Sequence, residues 1–275
     1  MNIYKKTPLK HENGIPFFSF PDEYIENYNE IGKDILKNIG IHGENPFMPD
    51  DYWSSLENST LLLIEKYIKK NDKILDVGVG LGRLMAKINK DVEKFGVDID
   101  INQLIKSKDS VNVCLSKAEE MPYIDDLFDL IVCTDVLEHV IDLNSTIKNI
   151  IGCLKPDGKL IIRVPYKENL SSYLEPSYPY KFAHLRNFDE NNLQILFNKI
   201  FHMNVLDISY CGYINDHTKS RFFNQMKFLQ KTISRVIYTI SFFSKSLERK
   251  LIKYFFSPIE INMVLEKSII LKNKE

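Results

Sequence analysis

Lys73-Ile74-Leu75-Asp76-Val77-Gly78-Val79-Gly80-Leu81-Gly82-Arg83 sets an apolar run ending in an acid against three alternating glycines. Such a run reads as a buried strand that turns sharply into a helix. Glycine opens backbone paths closed to other residues and lets a ligand approach the main chain. A second apolar run closes on Gly96-Val97-Asp98, its acid 22 residues after Asp76. A carboxylate so placed can accept hydrogen bonds from two ribose hydroxyls, the way an α/β sheet holds a nucleoside at its carboxyl edge. The turn is not a dinucleotide fingerprint. Counted from Gly78, G-x-G-x-x-G requires a glycine where Arg83 stands, and no pyrophosphate cradle is implied.

The spacing D-x-G-x-G-x-G resembles the first motif of the class I S-adenosylmethionine (SAM) methyltransferases. Further landmarks follow in that family's order. Ala118-Glu119-Glu120-Met121-Pro122 through Phe128-Asp129 is similar to its loop between the third and fourth strands. Leu130–Thr134 matches the fourth strand, with Asp135-Val136-Leu137-Glu138-His139-Val140 at its carboxyl end. Leu154-Lys155-Pro156-Asp157-Gly158 is a helix stop and turn before a fifth strand ending at Val164-Pro165. The resemblance covers roughly residues 55–212 and is closest in kind to small-molecule, ubiquinone-biosynthesis-like members. It implies a doubly wound α/β sheet of seven mostly parallel strands, the last inserted antiparallel between the fifth and sixth. It implies S-adenosyl-L-methionine as cofactor, with Asp76, Gly78, Gly80 and Gly82 on the methionine side and Asp98 at the ribose. Ala118 and Glu119 would border the adenine, and Thr134 would line the cleft near the sulfonium. Lys117 stands where the family often has an acid, leaving the adenine contact to neighbouring backbone.

Composition fits one α/β domain with additions: 275 residues, 44% hydrophobic, net charge −1. That balance carries no polyanion-binding signature for the whole molecule. The four cysteines lack metal-like spacing and read mostly as small core residues. The amino terminus has no apolar signal core, and no run reaches membrane-span length, so a reduced cytoplasmic setting is the expectation.

Strands are expected near 73–78, 94–98, 111–115, 129–134, 158–164, 203–210 and 259–265, with helices between the earlier ones. Residues 1–54 form an aromatic- and proline-rich arm containing a helix over 22–39; it either packs as a strap or covers the site as a lid. Residues 55–275 form the SAM-binding domain, with Asp189 as a helix N-cap and an insertion over 213–257. Within it, residues 218–256 carry nine Lys/Arg against one acid. Apolar residues recur at Phe222, Met226, Leu229, Ile233, Val236, Ile240, Phe243, Leu247 and Leu251, an amphipathic pattern with a basic face. That face suits an anionic membrane surface or a phosphate-bearing substrate; the plain alternative is a helix docked on its own core.

Methyl transfer from a sulfonium is an in-line displacement, so the protein must align the acceptor, exclude water and remove any acceptor proton. His139, after the fourth strand, and His184, after the fifth, are the candidate catalytic residues; structural roles are open to both. Arg186 reads as a salt-bridge partner or an anion clamp. No metal is the primary expectation. The alternative is a divalent ion on Asp135, Glu138, His139 and His184, whose pattern is similar to that of small-RNA 2′-O-methyltransferases and could acidify an acceptor hydroxyl. The expected activity is SAM-dependent methylation of a small molecule or a glycan- or lipid-linked precursor, on oxygen. A non-catalytic SAM-binding accessory protein and an RNA methyltransferase using the basic insertion are the alternatives.

Overall fold

In the computed structural model, the described residues are 3–42, 50–212, 227–241, 244, 247, 250, 251 and 254–268. A single mixed sheet organises them. Its parallel centre is β3 (Lys73–Val77), β4 (Glu93–Asp98), β5 (Asn112–Leu115), β6 (Phe128–Thr134) and β7 (Leu154–Pro165). These are near-continuous Val/Ile/Leu runs, as strands covered on both faces require. Leu75, Ile131, Val132, Ile161 and Ile162 are all completely buried. β9 (Glu260–Lys267) runs antiparallel between β7 and β8 (Met203–Cys211), as the resemblance implied.

The sheet has nine strands in the order β1-β2-β5-β4-β3-β6-β7-β9-β8, not seven. The two additional strands, β1 (Lys10–Glu12) and β2 (Ile15–Phe17), form a hairpin of the amino-terminal arm. β2 joins the edge of β5 in parallel, pairing Phe17 with Leu115. Ile15 and Phe17 are buried beneath it, so the arm extends the core rather than merely crossing it.

Two helices precede β3. α1 (Glu23–His42) is the arm helix expected near 22–39, and α2 (Asp50–Tyr67) leads into the first core strand. Short helices α3 (Arg83–Ala86) and α4 (Ile101–Ser107) follow β3 and β4. α5 (Leu143–Cys153) starts at the N-cap Asp142, whose carboxylate accepts from the Ser145 amide. α6 (Glu190–Gln194) opens on a reciprocal capping box between Asp189 and Asn192. All four cysteines are buried and unpaired.

Of the predicted basic insertion, α7 (Lys227–Ser241) is described; 213–226 and most of 242–253 lie outside the described residues. Among the described side chains of α7 the buried position is Ile237, whereas Val236 is 54% exposed. The stripe therefore runs through Leu229, Ile233, Ile237 and Ile240, one residue off the predicted line. Spacing by four before three follows the 3.6-residue helical period. Among the described residues, no helix is long and apolar enough to cross a membrane.

Candidate active site

The sheet order turns at β3, which has β4 on one side and β6 on the other. Ligands of open α/β sheets settle in the crevice outside the strand ends at such a point. There a cavity of about 1180 Å³ opens, lined by the turns after β3, β4, β6 and β7 and by α1. Pockets for a single drug-sized ligand run to about 300–1,000 Å³, so this one has room for a nucleoside and a second molecule.

The glycine turn is built as the sequence suggested. Gly78 has φ of +81°, and a Cβ there would stand 2.3 Å from Val136 Cγ2, so this position is both left-handed and closed to side chains. The Gly80 amide donates to Asp98 Oδ2 at 2.8 Å, tying the turn after β3 to the end of β4. Asp98 Oδ1 accepts from the amides of Ile99 and Asp100. Burial pushes the Asp98 carboxyl above its usual range, and these amide bonds pull it back down. Asp76 is more strained electrostatically. Its Oδ1 is buried and has no partner among the described residues. Burial, with Asp98 and Asp135 adding repulsion, pushes its pKa up to about 8.

Asp76, Gly78, Gly80, Asp98, Ala118, Glu119 and Thr134 all line this cavity. Gly82 does not. It takes φ of +72° at the start of α3, where an added Cβ would press on Ser107 Cβ at 3.0 Å, so its glycine serves turn and packing. Lys117, where an acid was the family norm, pairs with Asp22 of the arm. Glu119 Oε1 accepts from the Ile141 amide at 3.1 Å, while its Oε2 is buried without a partner among the described residues.

Both histidines line the same cavity. Their rings meet edge to face with centroids 4.4 Å apart. His139 Nδ1 is bonded to the Tyr28 hydroxyl at 2.8 Å, and His184 Nδ1 to the Glu168 carboxylate, with the Tyr173 hydroxyl at 3.2 Å. Burial, reinforced by His184, lowers the His139 pKa to about 3, so its imidazole is neutral and weakly basic. Glu138 is wholly buried, and neither carboxylate oxygen has a hydrogen-bond partner among the described residues. Burial first, then Asp135, holds it well above the carboxylate range. Glu138, His139 and His184 bring ligand-capable atoms within 4.8 Å of one another.

Asp135 is not part of that cluster. Thr134 pairs with Arg163 across β6 and β7, so the next residue falls beside the guanidinium, and Asp135 forms an ion pair with Arg163. Arg163 also donates to Thr60 Oγ1 at 3.0 Å, and Thr60 to Asn262 Oδ1 at 3.1 Å. Arg186 donates to the carbonyls of Leu137, Val140 and Ile141, shaping the loop that presents Glu138 and His139.

Sequence reading missed the contributions of α1. Tyr24, Tyr28, Ile31, Ile35 and Ile39 line the cavity along its i, i+3, i+4 face. The sequence offered the arm as a strap or a lid without naming these residues. Asn27 Oδ1 accepts from the amides of Lys181 and Phe182, and Tyr180 donates to Asp34, fixing the loop after β7 under α1. Gly32 lets α1 cross directly above Asp100, the N-cap of α4; a Cβ there would overlap its carboxylate.

Fold and site together define a nucleoside-cofactor protein of the doubly wound α/β class. A family model described as a methyltransferase domain matches residues 75–162. An uncharacterized protein of Methanocaldococcus jannaschii is 36% identical over 110 residues, 40% of this chain and 48% of that protein. The ubiquinone/menaquinone biosynthesis C-methyltransferase UbiE of Pectobacterium atrosepticum is 31% identical over 108 residues, 34% of this chain and 43% of that enzyme. The matches thus span less than half the length of these relatives. Among solved structures, Haemonchus contortus phosphoethanolamine N-methyltransferase 2, bound to S-adenosylhomocysteine, superposes with a TM-score of 0.56 at 18% identity, covering 90% of this chain and 61% of that one. The methyltransferase-domain match over residues 75–162, with the UbiE relatives, supports the class I SAM-dependent methyltransferase superfamily and S-adenosylmethionine as cofactor.

Proposed function

We propose that the protein transfers the methyl group of SAM to a hydroxyl of a small-molecule or glycan- or lipid-linked acceptor. The observation that carries this is one cavity lined both by the glycine turn with Asp98 and by the Glu138–His139–His184 cluster. In this reading Asp76, Gly78 and Gly80 hold the methionine part, Asp98 the ribose, and Ala118 and Glu119 the adenine edge. Thr134, at the end of β6, faces the sulfonium between the two compartments. α1 closes over both, with Tyr24 and Tyr28 excluding water from the transferring carbon. Such alignment accounts for about 7–11 kcal/mol of barrier lowering in well-oriented reactions. His139 and His184 act on the acceptor oxygen. The preference for oxygen rests on these two nitrogen lone pairs beside a buried carboxylate.

Methyl release from labelled SAM across a panel of hydroxyl compounds tests this reading, with S-adenosylhomocysteine calorimetry alongside. Asp98→Ala removes a charged hydrogen-bond acceptor worth about 1.5–3 kcal/mol, so cofactor affinity should fall roughly 10–100-fold. Unchanged affinity in that variant would sink the cofactor assignment. Cofactor binding without transfer to any acceptor class would instead favour the accessory-protein reading.

A further inference from the structure

We infer that the acceptor is an organic cation: Glu138 and Glu260, two buried carboxylates lining the cavity, take its ammonium group beside a wall of tyrosine rings. The inference names the substrate class for the hydroxyl-methylation reading. It rests on that reading for the transfer step, while the ammonium site stands on its own geometry.

Glu138 is wholly buried and Glu260 is 4% exposed, and both line the cavity. Both oxygens of Glu138 and Oε2 of Glu260 have no hydrogen-bond partner among the described residues. Three buried acceptor atoms are thus open, and a primary ammonium brings three donors and no acceptor. Burial first, then the charge of Asp135, holds both carboxyls well above the ordinary range, and Glu168 bears on both. Glu138 also bears on Glu260, so these carboxylates share one electrostatic field. Carboxylates buried without a counter-charge are costly, and an organic cation beside them removes that cost.

The protein's own cations do not answer these carboxylates. Among the described residues lining the cavity they are Arg83, Arg163 and Lys167. Arg83 is paired with Glu57 and Arg163 with Asp135, and Lys167 lies exposed over the Tyr166 ring, 5.2 Å from its centroid. The cofactor's positive groups fall, in the reading above, to Asp76 and the glycine turn. Aromatic rings complete the surround. Centroids of Tyr24 and Tyr28 are 5.0 Å apart, those of Tyr24 and Phe182 5.2 Å, and those of Tyr173 and Tyr178 5.0 Å. All five rings line the cavity, and the charge of Glu138 reaches Tyr28 and Tyr173. A tyrosine face attracts an ammonium group through its quadrupole, most strongly where water is excluded. Buried carboxylates beside such rings select an amine over a neutral compound of the same shape. The acceptor class is therefore an amine that also carries the hydroxyl to be methylated.

The test uses the full chain saturated with S-adenosylhomocysteine and two pairs of probes matched in shape: tyramine against 4-ethylphenol, and ethanolamine against ethylene glycol. In at least one pair the cationic member should bind roughly 10–100-fold tighter by ligand-observed NMR, the usual worth of a hydrogen bond to a charged group. An advantage in the first pair marks an aromatic amine, and in the second an aliphatic one. Glu138→Gln and Glu260→Gln should each shrink that advantage while keeping the melting temperature and S-adenosylhomocysteine affinity. Tyr178→Leu should weaken binding of the preferred amine by about 2–30-fold, the range of a cation–π contact. Equal binding within both pairs, absence of binding by either amine, or an advantage indifferent to both glutamate substitutions overturns the proposal. A variant that melts normally but loses S-adenosylhomocysteine affinity gives its carboxylate to the cofactor and overturns it as well. An amine that binds as expected but takes no methyl group from SAM on its hydroxyl leaves the ammonium site standing and removes the hydroxyl reading instead.

Discussion

Asp76 shows how a residue lining the cavity can be a cost to the fold. Its unfolded carboxyl titrates near about 3.9, whereas in the folded chain it is pushed up to about 8. Below both values each state holds the proton. As pH rises between them the unfolded chain has lost the proton and the folded chain keeps it, so stability drains away toward pH 8. His139, lowered to about 3, acts in the opposite sense, but its effect is complete by about pH 7. Over pH 7–8, urea midpoints of the cofactor-free protein should fall, and Asp76→Asn should flatten that fall; parallel profiles would refute it. At this scale the sequence was legible where chemistry is written in adjacent residues. Gly78, Gly80 and Asp98 lie where their spacing put them. Asp135 lines the cavity with Glu138 and His139, but its pairing with Arg163, 28 positions away on the neighbouring strand, left no local signal.

The decisive element is α1. A single asparagine, Asn27, satisfies two amides of the loop that carries His184. Asn27→Ala leaves both without that acceptor, at a cost of about 1–3 kcal/mol; chemical denaturation should register it, and the loop should become more susceptible to protease. Gly32→Leu should act differently. Its side chain would collide with Asp100, lift α1 from α4, and weaken S-adenosylhomocysteine binding more than it lowers Tm, as paired calorimetry and melting would show. The helix itself was expected over 22–39, and Asp189 was legible as an N-cap. The β1–β2 hairpin was not, because each strand has three residues and gains its pairing from β5, about a hundred positions away.

At the scale of the whole molecule, one buried polar chain ties the sheet to α2. Arg163 reaches Asp135 and Thr60, and Thr60 reaches Asn262 across β9. Arg163 is 2% exposed, so Asp135→Asn strands a buried guanidinium. Breaking one side of a buried pair costs about 3–5 kcal/mol; the urea midpoint should drop accordingly, with cofactor affinity per folded molecule little changed. The central strands were readable because their hydrophobic runs are local, while this network joins four distant segments and leaves no pattern in any of them. The same remoteness has a temporal side. The hairpin and α1 are synthesised before Leu115, Asp100 and Phe182, on which they dock. Long-range contacts of this kind slow folding because distant segments must meet before they are rewarded. That stretch therefore keeps its apolar face uncovered until those later segments exist, an interval in which it is open to premature association.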